Sequence, residues 1–385
     1  MTFDPMRRVV VTGIGVVSPT GVGKRSFTRG LKAGRTALTP LSEAFPVPVA
    51  APVTETLETI GPEDRMELFA LAASREALSE SGLLKERLPP EAFGSVFSSS
   101  KGTLQAFNQP ERFAHFPTSS ASTALLKQFP HIQGPSLNLV AACATGTFSL
   151  IRATQLIRDG RCRAVLAGAS DASIFPLALA AYRQMGVLSS DCTRPFDRRR
   201  TGFVVGEGAA AFVLEERDSA LDRGADVYGE IVGEAMAQDA FHPVCFQAGG
   251  HSLAYAIRTA LRKAQLSPEK LDYVNAHGTA TLQGDPYETT EIKEVFGEAA
   301  YRIPISATKS MTGHLLGASG AVEFAACLLA MAERFIPPTV NLEEPDAACD
   351  LDYVPGEARA ASLKVVLSVS MGFGGHIGVV VVKKS

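Results

Sequence analysis

The sequence predicts an α/β fold with a mixed sheet, on three observations. Short apolar or β-branched runs alternate with segments of helical periodicity along most of the 385 residues. The order helix, proline-containing break, strand occurs twice. Phe69 to Ser81 is followed by Leu83, Pro89, Pro90 and Val96-Phe97; Leu253 to Ala264 is followed by Leu266, Pro268 and Leu271 to Asn275. Ala77-Leu78 and Ala260-Leu261 hold matching places, which predicts a divergent internal duplication. Last, Val365 to Val369 and Gly378 to Val382 flank Met371 to Gly375 closely enough to be hairpin neighbours, so the sheet cannot be purely parallel.

Taken in order, Arg8 to Ile14 is β-branched and predicts a buried strand running into a Gly13 to Gly21 loop. That loop has Ser18 where a dinucleotide-binding loop needs its third glycine, with Pro19 next, so nicotinamide binding is not expected. Val22 to Gly34 predicts a short helix, and Ala37 to Gly61 is proline-rich and irregular. Arg65 to Ser81 places Met66, Phe69, Ala73, Ala77 and Leu78 on one face, with Gly82 as the stop. Ser95 to Ser98 predicts a strand. Lys101 to Gly134 has weak periodicity, with one helix expected at Ser122 to Phe129. Ala164 to Ala169 and Ala209 to Glu215 predict strands on either side of the charged loop Arg194 to Phe203. Asp218 to Arg223 predicts a helix and Val227 to Ala235 an extended run. Ile303 to Ser306 predicts a strand, and Gly320 to Arg334, apolar nearly all round, predicts a buried helix.

The chain is 46% hydrophobic and 20% charged, ample for a large core and two or three domains. With net charge −3 and no basic block, nucleic acid is not an expected partner. Residues Met1 to Arg8 contain no signal-peptide core. No apolar run is expected to span a bilayer, since the longest, near Ala321 to Ala332, carries Glu323. The six cysteines, 143, 162, 192, 245, 327 and 349, make no CxxC pair and no zinc spacing. They are expected to be reduced thiols in a cytoplasmic protein.

One of these cysteines has a distinctive setting. Leu137 to Ala142 predicts a buried strand end, Cys143 to Thr147 is a small-residue turn, and Phe148, Leu150, Ile151, Ala153, Leu156 and Ile157 then recur at helical spacing. Cys143 therefore sits at the first turn of a helix, where free N–H groups and the helix dipole lower a thiol pKa and favour the thiolate. Gly146 and its small neighbours are expected to leave room for a substrate. Taken alone, Cys143 could equally be a buried small hydrophobe. Of seven histidines, two stand in unusual contexts: His277 opens Gly278-Thr279-Ala280-Thr281, and His314 lies in Lys309-Ser310-Met311-Thr312-Gly313-His314. Either could be structural; His115, His131, His242, His251 and His376 offer no comparable context.

Read jointly, these segments resemble the β-ketoacyl-acyl carrier protein synthases of type II fatty-acid and polyketide synthesis, within the thiolase-like fold. The motifs lie in family order over nearly the whole length: Val11 to Gly15, Ala142 to Gly146, Arg194-Pro195-Phe196-Asp197, Gly206-Glu207-Gly208, Asn275 to Thr279, Lys309 to His314 and Gly372 to Gly375. The resemblance implies a five-layered αβαβα sandwich of two similar halves, residues 1–226 with the nucleophile and 227–385 with the two histidines. It implies decarboxylative Claisen condensation, with an acyl group on Cys143 joined to malonyl-acyl carrier protein. It implies an oxyanion hole from the N–H groups of Cys143 and Phe373, and enolate stabilisation by His277 and His314. Lys309 and Glu323 are implied as support. Thr279, Thr281, Met371 and Gly372 form the implied substrate loop, and Phe373 the gate. No bound cofactor is implied beyond the phosphopantetheine of the acyl carrier protein, though a structural cation near Asn275, Glu323 and Ser368 occurs in some members. The implied assembly is a homodimer, or a heterodimer with a ketosynthase-like subunit, pairing through the strand near the nucleophile.

The sequence departs from the family at Val369 and Met371, usually Asn and Phe, and at His376-Ile377, usually Thr-Asn. Residues 101–134 are also shorter than in ordinary fatty-acid enzymes. These departures imply an altered gate and acyl pocket, hence a specialised route such as an aryl polyene or other polyketide. The competing expectation is a non-catalytic chain-length-factor-like partner, which would lack the nucleophile. A degradative thiolase or chalcone-type enzyme would use a different residue set.

Overall fold

The computed structural model describes residues 7–58, 64–83, 88–104 and 119–385. Strand β1 (Val9–Ser18) is longer than expected, for a steric reason. The glycines read as the start of a loop lie inside the strand because a helix crosses them. A β-carbon on Gly13 would stand 2.1 Å from the Ala77 carbonyl oxygen, and one on Gly15 1.9 Å from that of Ala73. After α1 (Lys24–Lys32), the crossing helix α2 (Arg65–Ser81) has the limits its periodicity predicted. Asp64 accepts from the Met66 N–H at 2.9 Å while Glu67 accepts from the Asp64 N–H at 3.1 Å, a reciprocal cap that contributes about 1 kcal/mol. Gly82 ends the helix in the left-handed conformation. The irregular segment after α1 holds one short hairpin, Thr39–Pro40 with Val49–Ala50.

Next come β2 (Phe93–Ser98), α3 (Ser120–Gln128) and the two-residue β3 (Ser136–Leu137). The buried strand expected through Ala142 does not form. The chain leaves the sheet after Leu137, Val140 is 53% exposed, and a tight 3-10 turn at Ala142–Ala144 leads into α4 (Thr145–Arg158). The first half closes with β4 (Ala164–Asp171), α5 (Pro176–Gln184), β5 (Gly208–Glu216) and α6 (Arg217–Asp222). The second comprises β6 (Gly229–Gln238), α7 (Ser252–Ala264), β7 (Tyr273–Asn275), α8 (Gly284–Phe296), β8 (Ile305–Ser306), α9 (Lys309–Thr312), α10 (Ser319–Glu333), β9 (Val365–Gly372) and β10 (His376–Lys383). Residues 105–118, His115 included, lie outside the described residues, as do residues 1–6.

The strands follow the path β8-β7-β9-β10-β6-β1-β5-β4-β2-β3. Its midpoint is the antiparallel pair β1/β6, held by only three residue pairs, Val9 with Ile231, Val10 with Glu230 and Val11 with Gly229. On either side the order is the same: first, fifth, fourth, second, third. In both halves the first three are antiparallel neighbours and the last three parallel ones. The duplication extends to packing. A β-carbon on Gly233 of β6 would stand 2.1 Å from the Ala260 carbonyl oxygen of α7, as Gly13 does with Ala77.

Helix α2 covers β1 and β5, and α7 covers β6 and β10, on the outer faces. Helices α4 and α10 pack on each other between the sheets, α4 against β2 and β4, α10 against β9. Helix, sheet, helix pair, sheet, helix make five layers, a thiolase-like sandwich of two similar halves. This explains α10: its residues Ser319 to Met331 are all buried because it is enclosed on both sides. By length and composition the run Leu316–Glu333 does reach the span of a membrane, longer than expected, but 89% of it lies inside the protein.

Candidate active site

The 3-10 turn holding Cys143 depends on a strained residue. Ala142 has φ 47, a left-handed conformation that a residue with a β-carbon adopts only when its surroundings impose it. Thr145 fixes it: its Oγ1 accepts from the Ala141 N–H at 2.9 Å and donates to the Ala142 carbonyl at 2.7 Å. The β9–β10 hairpin closes over the turn. A β-carbon on Gly372 would lie 2.7 Å from the Ala141 carbonyl oxygen and 3.0 Å from the Cys143 nitrogen, so only glycine allows this approach. The approach brings the Phe373 N–H into a hydrogen bond with the Cys143 sulfur.

Two expectations fail here. Gly146 does not leave room for a substrate; a β-carbon there would meet Ala321 of α10, with the Ala321 nitrogen at 2.6 Å. Nor is the resting thiol acidic. Burial pushes Cys143 up to about 11, outweighing the pull of Lys101, Lys309 and the Phe373 N–H. At neutral pH the thiol is protonated until something offsets that desolvation.

His277 leaves the end of β7 and is held by its backbone. Glu288 of α8 accepts from the N–H groups of His277 and Gly278, at 2.7 and 2.8 Å. Lys309 donates to the His277 carbonyl at 2.6 Å and faces its Nδ1 at 3.4 Å. An ammonium can only donate, so Nδ1 is the acceptor and Nε2 carries the proton. His314 reaches the same tautomer by other means. Its Nδ1 accepts from the Leu316 N–H at 3.2 Å and lies 2.8 Å from Ser319 Oγ. The two rings stand edge to face, 5.6 Å between centroids. Burial, then Lys309, then His314 hold His277 well below an ordinary imidazole pKa; burial, Lys309 and Lys101 do the same to His314. Both are neutral N–H donors near pH 7.

Lys309 and Glu323 form a buried ion pair behind these rings. Burial raises Glu323 to about 7 against the opposing effect of Lys309. Its second oxygen, Glu323 Oε2, is buried without a hydrogen-bond partner, as are Asn275 Oδ1 and Ser368 Oγ. Asn275 and Ser368 are register partners on β7 and β9. Three orphaned oxygens of this kind suit a hard cation with oxygen ligands.

Cys143, His277, His314, Thr279, Thr281, Met371, Gly372 and Phe373 line one cavity of about 260 Å³, which Val244, Cys245 and Phe246 also line. The residues that depart from the family at the implied gate are packed. Val369, Met371 and Ile377 are buried in the second-half core, and His376 packs edge-on against Phe148. The hairpin is tied from outside: Gly374 N–H donates to the Pro243 carbonyl and Asp239 N–H to that of Gly375, both at 2.8 Å. These backbone bonds tie the loop although Ile377 lacks the hydrogen-bonding groups of the Asn that the family usually has there.

Several residues that build the site gave no sequence signal. Glu288 and Asp285 are buried carboxylates on α8. Asp285 accepts from the N–H groups of Phe196 and Ala280, and burial raises it to about 7. Buried Arg200 donates to the carbonyls of Thr281 and Leu282, which fixes the Thr279–Thr281 loop. Elsewhere, His251 does have company: its ligand atom and those of Glu291 and Glu294 lie within 4.8 Å of one another. Arg258 also pairs with Glu294 at 2.8 Å, and the group does not line the cavity.

Two family models match, Beta-ketoacyl synthase, N-terminal domain, over residues 6–220, and Beta-ketoacyl synthase, C-terminal domain, over residues 228–343.

The chain belongs to the beta-ketoacyl synthase family.

It is 38% identical to the tetracenomycin polyketide synthase ketoacyl synthase alpha subunit of Streptomyces glaucescens, over 97% of this chain and 96% of that one. It is also 38% identical to 3-oxoacyl-acyl-carrier-protein synthase 2 of a Synechocystis species, over 96% of each. Among solved structures, a type II polyketide ketosynthase in complex with its acyl-carrier protein, bound to the hexaketide, superimposes with TM-score 0.91 at 33% identity, covering 98% of this chain and 99% of that one. The ishigamide ketosynthase/chain length factor gives 0.91 at 32%, with the same coverage. This ketosynthase-family chain is an enzyme of the acyltransferase kind. Its five layers are those of its structural relatives.

Proposed function

We propose that this ketosynthase extends acyl chains by decarboxylative condensation, with Cys143 as nucleophile and with His277 and His314 as hydrogen-bond donors to the extender unit. The observation that supports it best is the convergence of one thiol and two neutral imidazoles on a single cavity. In the first half-reaction the Cys143 sulfur bonds the acyl carbonyl carbon, and the phosphopantetheine thioester of an acyl carrier protein breaks. The departing thiol takes up the proton that Cys143 gave. The N–H groups of Cys143 and Phe373 hold the oxyanion. In the second, malonyl-carrier protein loses CO2, and the electron pair becomes an enolate held by the two Nε2–H groups. The enolate carbon attacks the acyl carbonyl, and Cys143 leaves as thiolate and regains a proton from solvent. Neutral imidazoles suit this task because they donate to the enolate oxygen without protonating it outright.

Thr279 and Thr281 would receive the phosphopantetheine arm, and Met371, Gly372 and Phe373 would gate the acyl pocket. Lys309 and Glu323 act by orienting His277. Asn275, Glu323 and Ser368 would hold a structural cation, which would supply charge balance for Glu323 and a tie between β7, β9 and α10. We divide the chain at 226/227, with the nucleophile in one half and the histidines in the other. Six unpaired thiols suit the reducing cytoplasm. We also infer pairing with a second ketosynthase-fold subunit along β3, an edge strand with exposed Val140 beside it. Light scattering that reports a monomer at all dilutions would contradict that pairing.

The chain-length-factor reading is disfavoured because nucleophile and histidines are all present and all line the cavity. The test is intact mass after incubation with acyl-carrier protein. The wild type gains one acyl group and Cys143→Ala gains none; acylation that persists in Cys143→Ala removes the assignment.

A further inference from the structure

Lys101 plays no part in the reactions above, yet the fold delivers it to the same turn. Strands β2 and β7 are equivalent second strands of the two halves. Lys101 leaves the end of β2 as His277 leaves the end of β7, so they approach Cys143 from the two halves. The lysine is held by named contacts. Its Nζ donates to Ser100 Oγ at 2.7 Å and lies 5.6 Å from the centre of the Tyr182 ring. Ser100 Oγ in turn donates to Asp171 at 2.5 Å. Asp171, at the end of β4, also accepts from Ser99 Oγ at 2.7 Å, Ser100 N–H at 3.1 Å and Gly317 N–H at 2.7 Å. Tyr182 packs with Cys143 in one apolar cluster, and its ring centre is 6.5 Å from that of Phe373.

Among the described residues no carboxylate lies within ion-pair distance of this ammonium, and Asp171 is already occupied by four donors. The charge therefore has no dedicated partner, and it faces a thiol that burial holds neutral. We propose that Lys101 is a positioning residue for acyl loading, whose ammonium, braced by Ser100 and Tyr182, is the counter-charge against which the Cys143 thiolate forms. The coupling acts in both directions. Burial works against the charge on Lys101, but Asp171, Tyr182 and Cys143 outweigh it and its pKa is raised. The other charged or titratable groups around the sulfur have different commitments. Lys309 is paired with Glu323, the carboxylate of Asp171 opposes the thiolate, and His277 and His314 are neutral.

The proposal rests on Cys143 being the nucleophile, but its test does not need the condensation. Iodoacetamide alkylates the thiolate, and peptide mass reports the modification at Cys143 alone. Across pH 7 to 10, Lys101→Met should slow alkylation about tenfold and displace the profile upward by about one pH unit, while Lys101→Arg stays within about threefold of wild type. A Lys101→Met profile that overlays the wild type, or a Lys101→Arg profile as slow as Lys101→Met, overturns the assignment. Should wild-type Cys143 alkylate with the expected Lys101 dependence yet accept no acyl group, the condensation reading falls and the counter-charge stands.

Discussion

Lys309 Nζ lies 2.6 Å from the carbonyl oxygen of His277 and 3.4 Å from the Nδ1 of the same residue. One ammonium thus fixes both the backbone and the tautomer of an imidazole, while Glu323 balances its charge. The cost of burying that ion pair is repaid in geometry: Nε2–H of His277 has one orientation available.

Decarboxylation should depend on both rings and acyl loading on neither. His277→Ala and His314→Ala should each gain an acyl mass on Cys143 and release CO2 from malonyl-carrier protein at least about a hundredfold more slowly than wild type. Unchanged CO2 release by both variants would remove the histidines from this step.

The burial of His314 gives stability a pH signature. Its folded pKa is depressed below its unfolded value of about 6.5, so below that pH the unfolded chain binds the extra proton first. The contribution is complete above about pH 6.5 and is lost as pH falls toward the lower folded value. Buried Glu323 and Asp285, with raised values, act in the opposite direction, so the comparison must be with a variant. Between pH 7.5 and 5.5 the wild type should lose stability relative to His314→Asn, by up to about 1.4 kcal/mol per pH unit. Parallel unfolding curves for the two proteins over that range would refute it.

Gly372→Ala tests the oxyanion hole through the backbone. The added methyl would meet the Ala141 carbonyl and the Cys143 nitrogen, so the hairpin must retreat and take the Phe373 N–H with it. Self-acylation should fall by roughly ten- to a thousandfold, as for loss of one oxyanion donor, with circular dichroism unchanged. A variant that loads at the wild-type rate would show that this amide does not contribute.

The altered gate should alter acyl preference through its shape, since Met371 and Ile377 pack into the core and the loop stays tied. In a competition among acyl-carrier proteins, unsaturated or aryl-capped acyl groups should be extended ahead of saturated chains of equal length. Faster extension of saturated medium and long chains would favour an ordinary fatty-acid role.

The sequence was most legible where structure is local. Helix α2 matches because its apolar face, its Asp64–Glu67 cap and its Gly82 stop all lie within one stretch. Cys143, His277 and His314 were legible because each sits in a short, distinctive motif. What stayed hidden depends on distant partners. Gly13 and Gly15 look like a loop until α2 is laid across them. Helix α8 conceals itself by burying Asp285, Glu288 and Glu291, the reverse of the usual pattern, because backbone N–H groups from neighbouring loops and from the first turn of α7 need those carboxylates. Lys101 reads as a loop residue until Ser100, Asp171 and Tyr182 are seen around it. The thiol misled for a related reason. A helix start argues for acidity, but full burial works against it and wins.

The repeat also has a counterpart to the Cys143 turn. Just as Ala142, with φ 47, precedes Cys143 at the head of α4, Leu316, with φ 52, precedes Gly317 at the head of α10. The architecture therefore supplies two sockets of one design and leaves the second blank. A side chain at Gly317 would run into Asp171 and Ser100, each with an atom 2.6 Å from its first carbon. The blank socket instead gives its N–H to Asp171, the carboxylate that Ser100 links to the lysine beside the filled one. Asymmetry between the halves is thus built into the packing: the vacant station braces the working one, and a second thiol could enter only by dismantling that brace.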